Sequence, residues 1–201
     1  MSISDIYIYS DGSCRVNPGG VGGWGVVITD VDENILYTLS GGVPNTTNSR
    51  MELTAVIEGL ELVYLQSLSN NVTLLLDSTY VIDKGQKDRP PFQNRDLWQR
   101  YLTLKQKIGI LKFIWIPGHK GHPLQEIADT LATNASGDLK EWLVKKRRNR
   151  KRSFNFTHGK TSLTKQVSTP KTLMEVFRDE EPNESLDAPF TTIDRHLSLY
   201  I

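Results

Sequence analysis

Cysteine is almost absent from this sequence, whose 201 residues include a single thiol at Cys14. One cysteine excludes an intramolecular disulfide framework and fits a reducing compartment. No apolar run approaches the roughly 18 residues that would mark a membrane-spanning helix. Residues 1–5 carry neither a basic segment nor an apolar core, so we expect no signal peptide. Together these absences predict a cytoplasmic protein without a membrane segment.

Acidic residues are missing from one long stretch, residues 145–171, which holds 10 Lys or Arg and no Asp or Glu. Residues 1–144 have a net charge of −4 and residues 172–201 one of −5, so the overall charge of +1 conceals three different surfaces. Lasting periodicity ends near the same point. We predict one domain over residues 1–140, and a basic, then acidic, largely disordered extension over residues 141–201.

Hydrophobic periodicity in the first 140 residues predicts the element order β β β α β α α β α. The first three strands are joined by short connections and should run antiparallel, whereas later strands are separated by helices. This order predicts an α/β protein with a five-stranded mixed sheet and helices on both faces. The apolar runs Val72–Leu76 and Phe113–Ile116 are short enough to be strands, and we expect both to be buried.

The longest predicted helix is Arg50–Leu65, because apolar residues recur along one of its faces. Thr47 or Asn48 can cap its start, and the residues before it, 41–48, are predicted to form a loop. A further helix is predicted over Asp96–Lys105, with Asn94 as its expected cap.

Three aspartates follow predicted strands: Asp11 after the first, Asp77 after the fourth and Asp129 in the helix after the fifth. Because the carboxyl ends of parallel strands meet at one edge of a sheet, we expect them to gather there with Glu52 from the first helix. Any one of them alone is more often a turn former or a helix cap. Gathered carboxylates repel one another unless cations neutralise them, which favours Mg²⁺. Two such ions about 4 Å apart suit phosphodiester displacement.

Five segments of the sequence form a further pattern through their order along the chain and the spacing between them. They are Asp11–Trp24, Thr46–Ala55, Leu76–Val81, Asp96–Trp98 and Trp115–Ala132. Together they resemble the type 1 ribonuclease H family over residues 5–136. The resemblance implies a ribonuclease H-like fold and endonucleolytic cleavage of the RNA strand of an RNA–DNA hybrid. It implies 5′-phosphate and 3′-hydroxyl product ends. We expect two Mg²⁺ ions per site, with Mn²⁺ as a substitute.

The resemblance also assigns roles to individual residues. The catalytic, metal-binding carboxylates it implies are Asp11, Glu52, Asp77 and Asp129. His119 matches a flexible-loop histidine that assists proton transfer or product release, and Glu126 matches an acid beside the site. The implied substrate contacts are Asn17, Gly19, Gly20 and Asn48 at the minor groove and its 2′-hydroxyls, and Thr47 and Asn94 at a DNA phosphate. Contacts with 2′-hydroxyls distinguish RNA from DNA, and phosphate contacts set register.

The sequence departs from the family pattern at two places. Ser49 stands where many members carry a second Asn, and the chain between Asp77 and Asp96 is short where many bacterial members have a basic, hybrid-gripping loop. The run 145–152, with seven cations in eight residues, is a candidate replacement. A solvated linker or a localisation signal explains it equally well. The C-terminal tail as a whole is a candidate contact for nucleic acid or a protein partner. For its acidic end, docking to a partner, folding back on the basic run and no role at all remain open.

Two other functions remain open at the level of sequence. One is a module that binds hybrid without cutting it, and the other is a DNA resolvase or exonuclease of the same broad fold. The complete acidic set argues against the first, and the loops carrying Asn17 and His119 argue against the second. We expect a monomer that acts on RNA–DNA hybrid.

Overall fold

The structure is a computed structural model, and it describes residues 5–118, 121–137 and 190–195. The strands are β1 (Ile6–Cys14), β2 (Gly20–Thr29), β3 (Ile35–Thr46), β4 (Asn71–Leu76), β5 (Ile110–Trp115) and β6 (Phe190–Arg195). The helices are α1 (Asn48–Leu65), α2 (Thr79–Gly85), α3 (Arg95–Lys105) and α4 (residues 123–137). His119, the basic run 145–152 and most of the tail lie outside the described residues, so the predictions made for them stay predictions.

The strands form one sheet in the order β5-β4-β1-β2-β3-β6. β1, β4 and β5 run parallel, whereas β2, β3 and β6 are added by antiparallel pairing. Alternate residues of β2 face opposite sides, so Val26 belongs to the core under α1 and Val27 to the core under α4. The predicted α/β class, with a mixed sheet and helices on both faces, is confirmed.

The sheet has one strand more than the five predicted. β6 comes from the tail and pairs with β3, from Tyr37 opposite Arg195 to Gly42 opposite Phe190. Residues 41–46, predicted as loop, are strand as well, because Gly41 and Gly42 pair with β2 on one side and β6 on the other. Backbone pairing over long sequence distances supplies what the local sequence does not indicate.

β5 is not buried as predicted, because it forms one edge of the sheet. Leu111 and Phe113 pack partly against the core, while the opposite face of the strand is open. The exposed fractions of Ile114 and Trp115 are 45% and 56%. An apolar run of this length fits a central strand as well as a half-covered edge strand, so periodicity cannot separate the two.

The helices on the two faces are held differently. On one face, α1 begins where the Thr47 hydroxyl accepts a hydrogen bond from the Arg50 N–H, and it buries a broad apolar stripe. On the other face, α4 packs directly on glycines of β2. A Cβ at Gly23 would lie 2.1 Å from the Ala132 carbonyl oxygen, and one at Gly25 would lie 2.2 Å from that of Ala128. This close approach places Asp129 over the sheet.

Among the residues that the structure describes, no helix is both long enough and apolar enough to span a membrane.

Candidate active site

Three of the predicted carboxylates line one cleft at the carboxyl end of the parallel strands. Asp11 comes from β1, Asp77 follows β4 and Asp129 projects from α4, and together they border a solvent-open cleft of about 250 Å³. Glu126 and His122 also line this cleft. The parallel register of β1 and β4 explains the meeting of the two strand acids, and the close packing of α4 on β2 brings the third.

Glu52 is held beside this group by two hydrogen bonds. Its Oε1 accepts from Asn48 Nδ2 at 2.9 Å, and its Oε2 accepts from Ser78 Oγ at 2.6 Å. Burial raises the pKa of Glu52, the charge of Asp77 raises it further, and the two donors lower it. A Cβ at Gly12 would lie 2.1 Å from the Glu52 nitrogen, so the absence of a side chain there lets α1 rest on the end of β1.

Asp77 lies between the loop after β5 and the start of α2. A Cβ at Gly118 would lie 2.3 Å from Asp77 Oδ2, so a larger residue there would displace the carboxylate from its present position. The indole N–H of Trp115 donates to the Asp77 carbonyl oxygen at 3.2 Å, which ties the end of β5 to the end of β4. The loop that leads to His119 therefore starts against a cleft acid, although His119 itself is outside the described residues.

Among the acids that the structure describes, Asp11 has the most strongly raised pKa. Burial, followed by the negative charge of Asp77, raises its pKa to about 8, with a further contribution from Asp129. The N–H of Gly12 donates to Asp11 Oδ1 at 2.7 Å and opposes this rise. A carboxyl that holds its proton near neutral pH marks a place where negative charge is crowded and a cation would be favoured.

The start of α4 is tied to β1 next to Asp11. Gln125 is buried, and its Nε2 donates to the Ser10 carbonyl oxygen at 3.2 Å. His122 lies 5.0 Å from the ring of Tyr9, and its Nδ1 is buried without a hydrogen-bond partner. The Gln125 bond joins the element that carries Asp11 to the helix that carries Asp129.

The donor set fits hard divalent cations, because carboxylate oxygens are the ligands that Mg²⁺ and Mn²⁺ take. The raised pKa of Asp11 supports this fit, since a bound cation would relieve the repulsion that raises it. In the ranges 5–118, 121–137 and 190–195, no three Asp, Glu, His or Cys side chains already surround a common point. Asp11, Asp77 and Asp129 are the residues that would hold such an ion, with Glu52 beside them.

The residues assigned to the minor groove form a second cluster, next to the acids. Asn17 Oδ1 accepts from the Asn48 N–H at 3.3 Å, and Asn48 Oδ1 accepts from the Cys14 N–H at 3.1 Å. The N–H of Gly19 donates to the Thr46 carbonyl oxygen and that of Gly20 to Val16. Asn48 belongs to both groups because its amide nitrogen also donates to Glu52, so the predicted substrate contacts are linked to the acids by a hydrogen bond.

The two residues assigned to a DNA phosphate lie at the starts of α1 and α3. Thr47 caps α1, whereas Asn94 precedes α3 without capping it. Arg50 joins the two places, because it donates to Asn94 Oδ1 at 3.4 Å and pairs with Asp96 at 3.0 and 2.5 Å. This pairing lowers the pKa of Asp96.

The ribonuclease H family model matches residues 4–137. The chain belongs to the ribonuclease H family. The resemblance stated from the sequence, and with it the prediction of an enzyme of this family, is confirmed. The match ends at residue 137, the last described residue of α4, so β6 lies outside it.

Named relatives and a solved structure agree with this assignment. The chain is 44% identical over 146 residues to a ribonuclease H of Thiobacillus denitrificans, covering 66% of this chain and 93% of that protein. It is 40% identical over 148 residues to a ribonuclease H of Lachnoclostridium phytofermentans, covering 65% and 91%. Its fold is similar to that of LC11-RNase H1 in complex with an RNA/DNA hybrid, with a TM-score of 0.57, 29% identity, and coverage of 66% and 97%.

Several residues at the site were not singled out from the sequence. Ser78 both caps α2 and donates to Glu52, and its position directly after Asp77 was a usable signal. Gln125 lies one helical turn before Asp129, so it shares a face with that acid. Arg50 and Tyr80 gave no such signal, because their role depends on contacts between separate helices.

Proposed function

We propose that this ribonuclease H is an endonuclease that hydrolyses the RNA strand of RNA–DNA hybrids. It uses two divalent metal ions, which are Mg²⁺ with Mn²⁺ as a substitute. We further propose that it leaves 5′-phosphate and 3′-hydroxyl ends. The observation that carries the proposal is the convergence of Asp11, Asp77 and Asp129 on one cleft, with Asn48 linking that cleft to the predicted minor-groove residues. The similar fold of LC11-RNase H1, whose structure contains an RNA/DNA hybrid, supports this choice of substrate.

The chain's own residues first position the hybrid. Asn17, Asn48 and the Gly19–Gly20 backbone contact the minor groove, where a 2′-hydroxyl distinguishes the RNA strand. Thr47 and Asn94 hold a phosphate of the DNA strand and so fix its register. Because Asn48 also donates to Glu52, a correctly seated RNA strand lies against the acids.

The chemical step is attack of water on the scissile phosphorus, with cleavage of the bond to the 3′ oxygen. Divalent ions, when bound, activate the water and stabilise the departing oxygen. Asp11, Glu52, Asp77 and Asp129 hold those ions, while Ser78 and Asn48 fix the orientation of Glu52. The attacking water loses a proton and the departing 3′ oxygen gains one. Glu126, which lines the cleft, and His119 are the residues that would carry this proton transfer, and His119 would alternatively assist product release.

The deciding experiment is cleavage of an end-labelled hybrid with Mg²⁺ by the full chain and by Asp11→Asn. Double-stranded DNA and double-stranded RNA of the same sequence are the matched substrates. We expect cuts in the RNA strand of the hybrid only, products that a 3′-hydroxyl-dependent ligase accepts, and loss of cleavage in the variant. Tight hybrid binding without cleavage in Mg²⁺ or Mn²⁺ would replace the enzyme with a binding module, and cutting of plain DNA would contradict the substrate.

The cellular location, the oligomeric state and the role of the basic run are inferred from the sequence alone. We propose that the chain acts as a cytoplasmic monomer, and that the basic run 145–152 adds phosphate contacts that strengthen hybrid binding without sequence preference.

A further inference from the structure

Asn94 occupies a position where asparagine normally caps a helix, yet it does not cap α3. Its backbone is left-handed, with φ 55° and ψ 37°, and its side chain makes no hydrogen bond to the first turn. Asparagine before a helix ordinarily accepts such a bond in an extended conformation, whereas the left-handed backbone that asparagine adopts more readily than most residues does not provide this cap here. The local stability of α3 is thus given up while the amide of Asn94 is used elsewhere, a pattern typical of functional positions.

The amide of Asn94 is held at both of its ends. Oδ1 accepts from Arg50 at 3.4 Å, and Arg50 is itself fixed by its two-pronged pair with Asp96. Nδ2 donates to the hydroxyl oxygen of Tyr80 at 3.1 Å. A cation on one side and a hydroxyl oxygen on the other leave one orientation of the amide, with oxygen toward Arg50 and nitrogen toward Tyr80.

Tyr80 is anchored in turn by a buried residue. The indole N–H of Trp98 donates to the same hydroxyl oxygen at 3.0 Å, and the exposed fraction of Trp98 is only 1%. The two rings meet edge to face, with centroids 5.9 Å apart. The buried Trp98 therefore holds the Tyr80 oxygen in place. Through its hydrogen bond with Nδ2, that oxygen in turn restricts the position of the partly exposed Asn94.

An amide nitrogen carries two hydrogens, and Tyr80 takes one of them. The other hydrogen is left for a further acceptor. Arg50, which holds the Asn94 oxygen, belongs to the first turn of α1, so the amide is linked to the start of that helix. A phosphate oxygen suits the remaining N–H, because amide N–H groups and helix starts both favour phosphate.

We propose that Tyr80 is a positioning residue for substrate binding, which fixes the Asn94 amide so that its remaining N–H meets one phosphate of the DNA strand. This rests on the proposed function, which assigns Asn94 to that phosphate. Without the hydroxyl, Asn94 keeps its bond to Arg50 but loses the contact that orients its nitrogen. The consequence falls on hybrid binding at a single phosphate, and the hydrolytic step itself is unaffected.

The test compares the full chain with Tyr80→Phe, which keeps the ring against Trp98 and removes only the hydroxyl. Tyr64→Phe, in α1 and 41% exposed, is the matched control. Each protein cleaves hybrids whose DNA strand carries one neutral methylphosphonate at successive positions. On unmodified hybrid we expect about a five-fold rise in KM for Tyr80→Phe, with kcat within about two-fold, as for loss of one hydrogen bond.

The scan of positions separates positioning from general stability. In the unaltered protein, one methylphosphonate position should raise KM several-fold, and Tyr80→Phe should have lost much of its sensitivity at that position alone. Asn94→Ala should lose the same sensitivity, and the double variant should be no worse than Asn94→Ala. An unchanged KM for Tyr80→Phe, or a loss spread equally over all positions with a lowered melting temperature, would overturn the inference. Failure of the unaltered chain to cut hybrid would instead remove the proposed function.

Discussion

In the part of the chain that the structure describes, the two faces of the sheet carry hydrophobic cores of very different size. Under α1 and α3 lies a cluster of 23 buried residues, which includes Trp24, Trp98 and Leu60. Under α4 the corresponding cluster, counted over the same described residues, has six, among them Tyr9 and Leu124. The acids are divided between the faces too, because Glu52 comes from α1 and Asp129 from α4. A robust core thus fixes one acid, while a thin one, helped by glycine contacts and the Gln125 bond, fixes another.

Truncation of one leucine on each face should give the largest effects and the clearest contrast. Leu60→Ala, at a fully buried position, should lower the free energy of unfolding by about 3–5 kcal/mol, and Leu124→Ala by about 2 kcal/mol. Leu124 lies in a cluster with fewer buried side chains than that of Leu60, so its truncation removes fewer contacts. Urea unfolding of both variants measures the difference. Equal costs would mean that the two cores support the fold equally.

Adding a single methyl group where each helix packs on the sheet should affect the two faces differently. Gly25→Ala places Cβ 2.2 Å from the Ala128 carbonyl oxygen, so α4 must move outward, at about 1–3 kcal/mol of stability, and Asp129 moves with it. We expect hybrid cleavage to fall more than stability alone explains. The matched change on the other face is Gly59→Ala, whose Cβ meets only side-chain methyl groups of Ile8 and Val26, at 3.1 Å. It should leave cleavage unchanged, and equal losses in both variants would contradict this account.

The acids between the two faces should make the metal-free protein less stable as pH rises. The pKa of Asp11 is about 8 in the folded chain against 3.8 for an ordinary aspartate, so the folded state holds the extra proton between these values. Its contribution is complete below pH 3.8 and is lost as pH rises toward 8. Asp11→Asn should remove this slope and stabilise the metal-free protein at pH 8 by about 1–2 kcal/mol. Thermal melting in a chelator from pH 5 to 9 measures both, and a parallel pH profile for the variant would argue against crowded charge.

The smallest effect on stability should come from the basic run 145–152, which lies outside the described residues. Replacing the seven Lys and Arg of residues 145–152 by Gln should change the free energy of unfolding by less than about 0.5 kcal/mol. If these cations contact phosphates, the salt dependence of hybrid binding should flatten by close to one unit of slope for each lost contact. Binding titrations at several salt concentrations measure this. An unchanged slope would favour a solvated linker or a localisation signal.

The features that the sequence predicts well are those with a local signal. The apolar stripe of α1 and the cap at Thr47 follow from residue spacing, as does the position of Asp77 directly after β4. Asp11 was predicted to follow the first strand, but β1 runs on to Cys14 because residues 11–14 pair with β2. The exposure of β5 was missed, because the edge position is set by strand order and leaves no trace in the run Phe113–Ile116. β6 was missed for a related reason, since its pairing depends on an open edge about 150 residues away in the chain.

For the site, it was easier to predict which residues lie there than which contacts their side chains make. Asn94 was expected to cap α3, as its type and position indicate, but its amide instead joins Arg50 and Tyr80. Gln125 gave no chemical signal of its own, and only the packing of α4 against β1 brings it to Ser10. Contacts between elements decide such roles, and one sequence records them weakly.

The pairing of β6 with β3 also has a consequence for the order of folding during synthesis. The residues that pair, 37–42 with 190–195, are far apart in the chain, and domains form from the amino terminus as the chain emerges. Five strands and the helices around them can therefore assemble while the sixth strand has not yet been made. During that interval the outer backbone groups of β3 are an open edge, the kind of surface that recruits strands from other chains. The later synthesis of β6 closes that edge, so the pairing of residues 190–195 with β3 ends this period of exposure to misassembly.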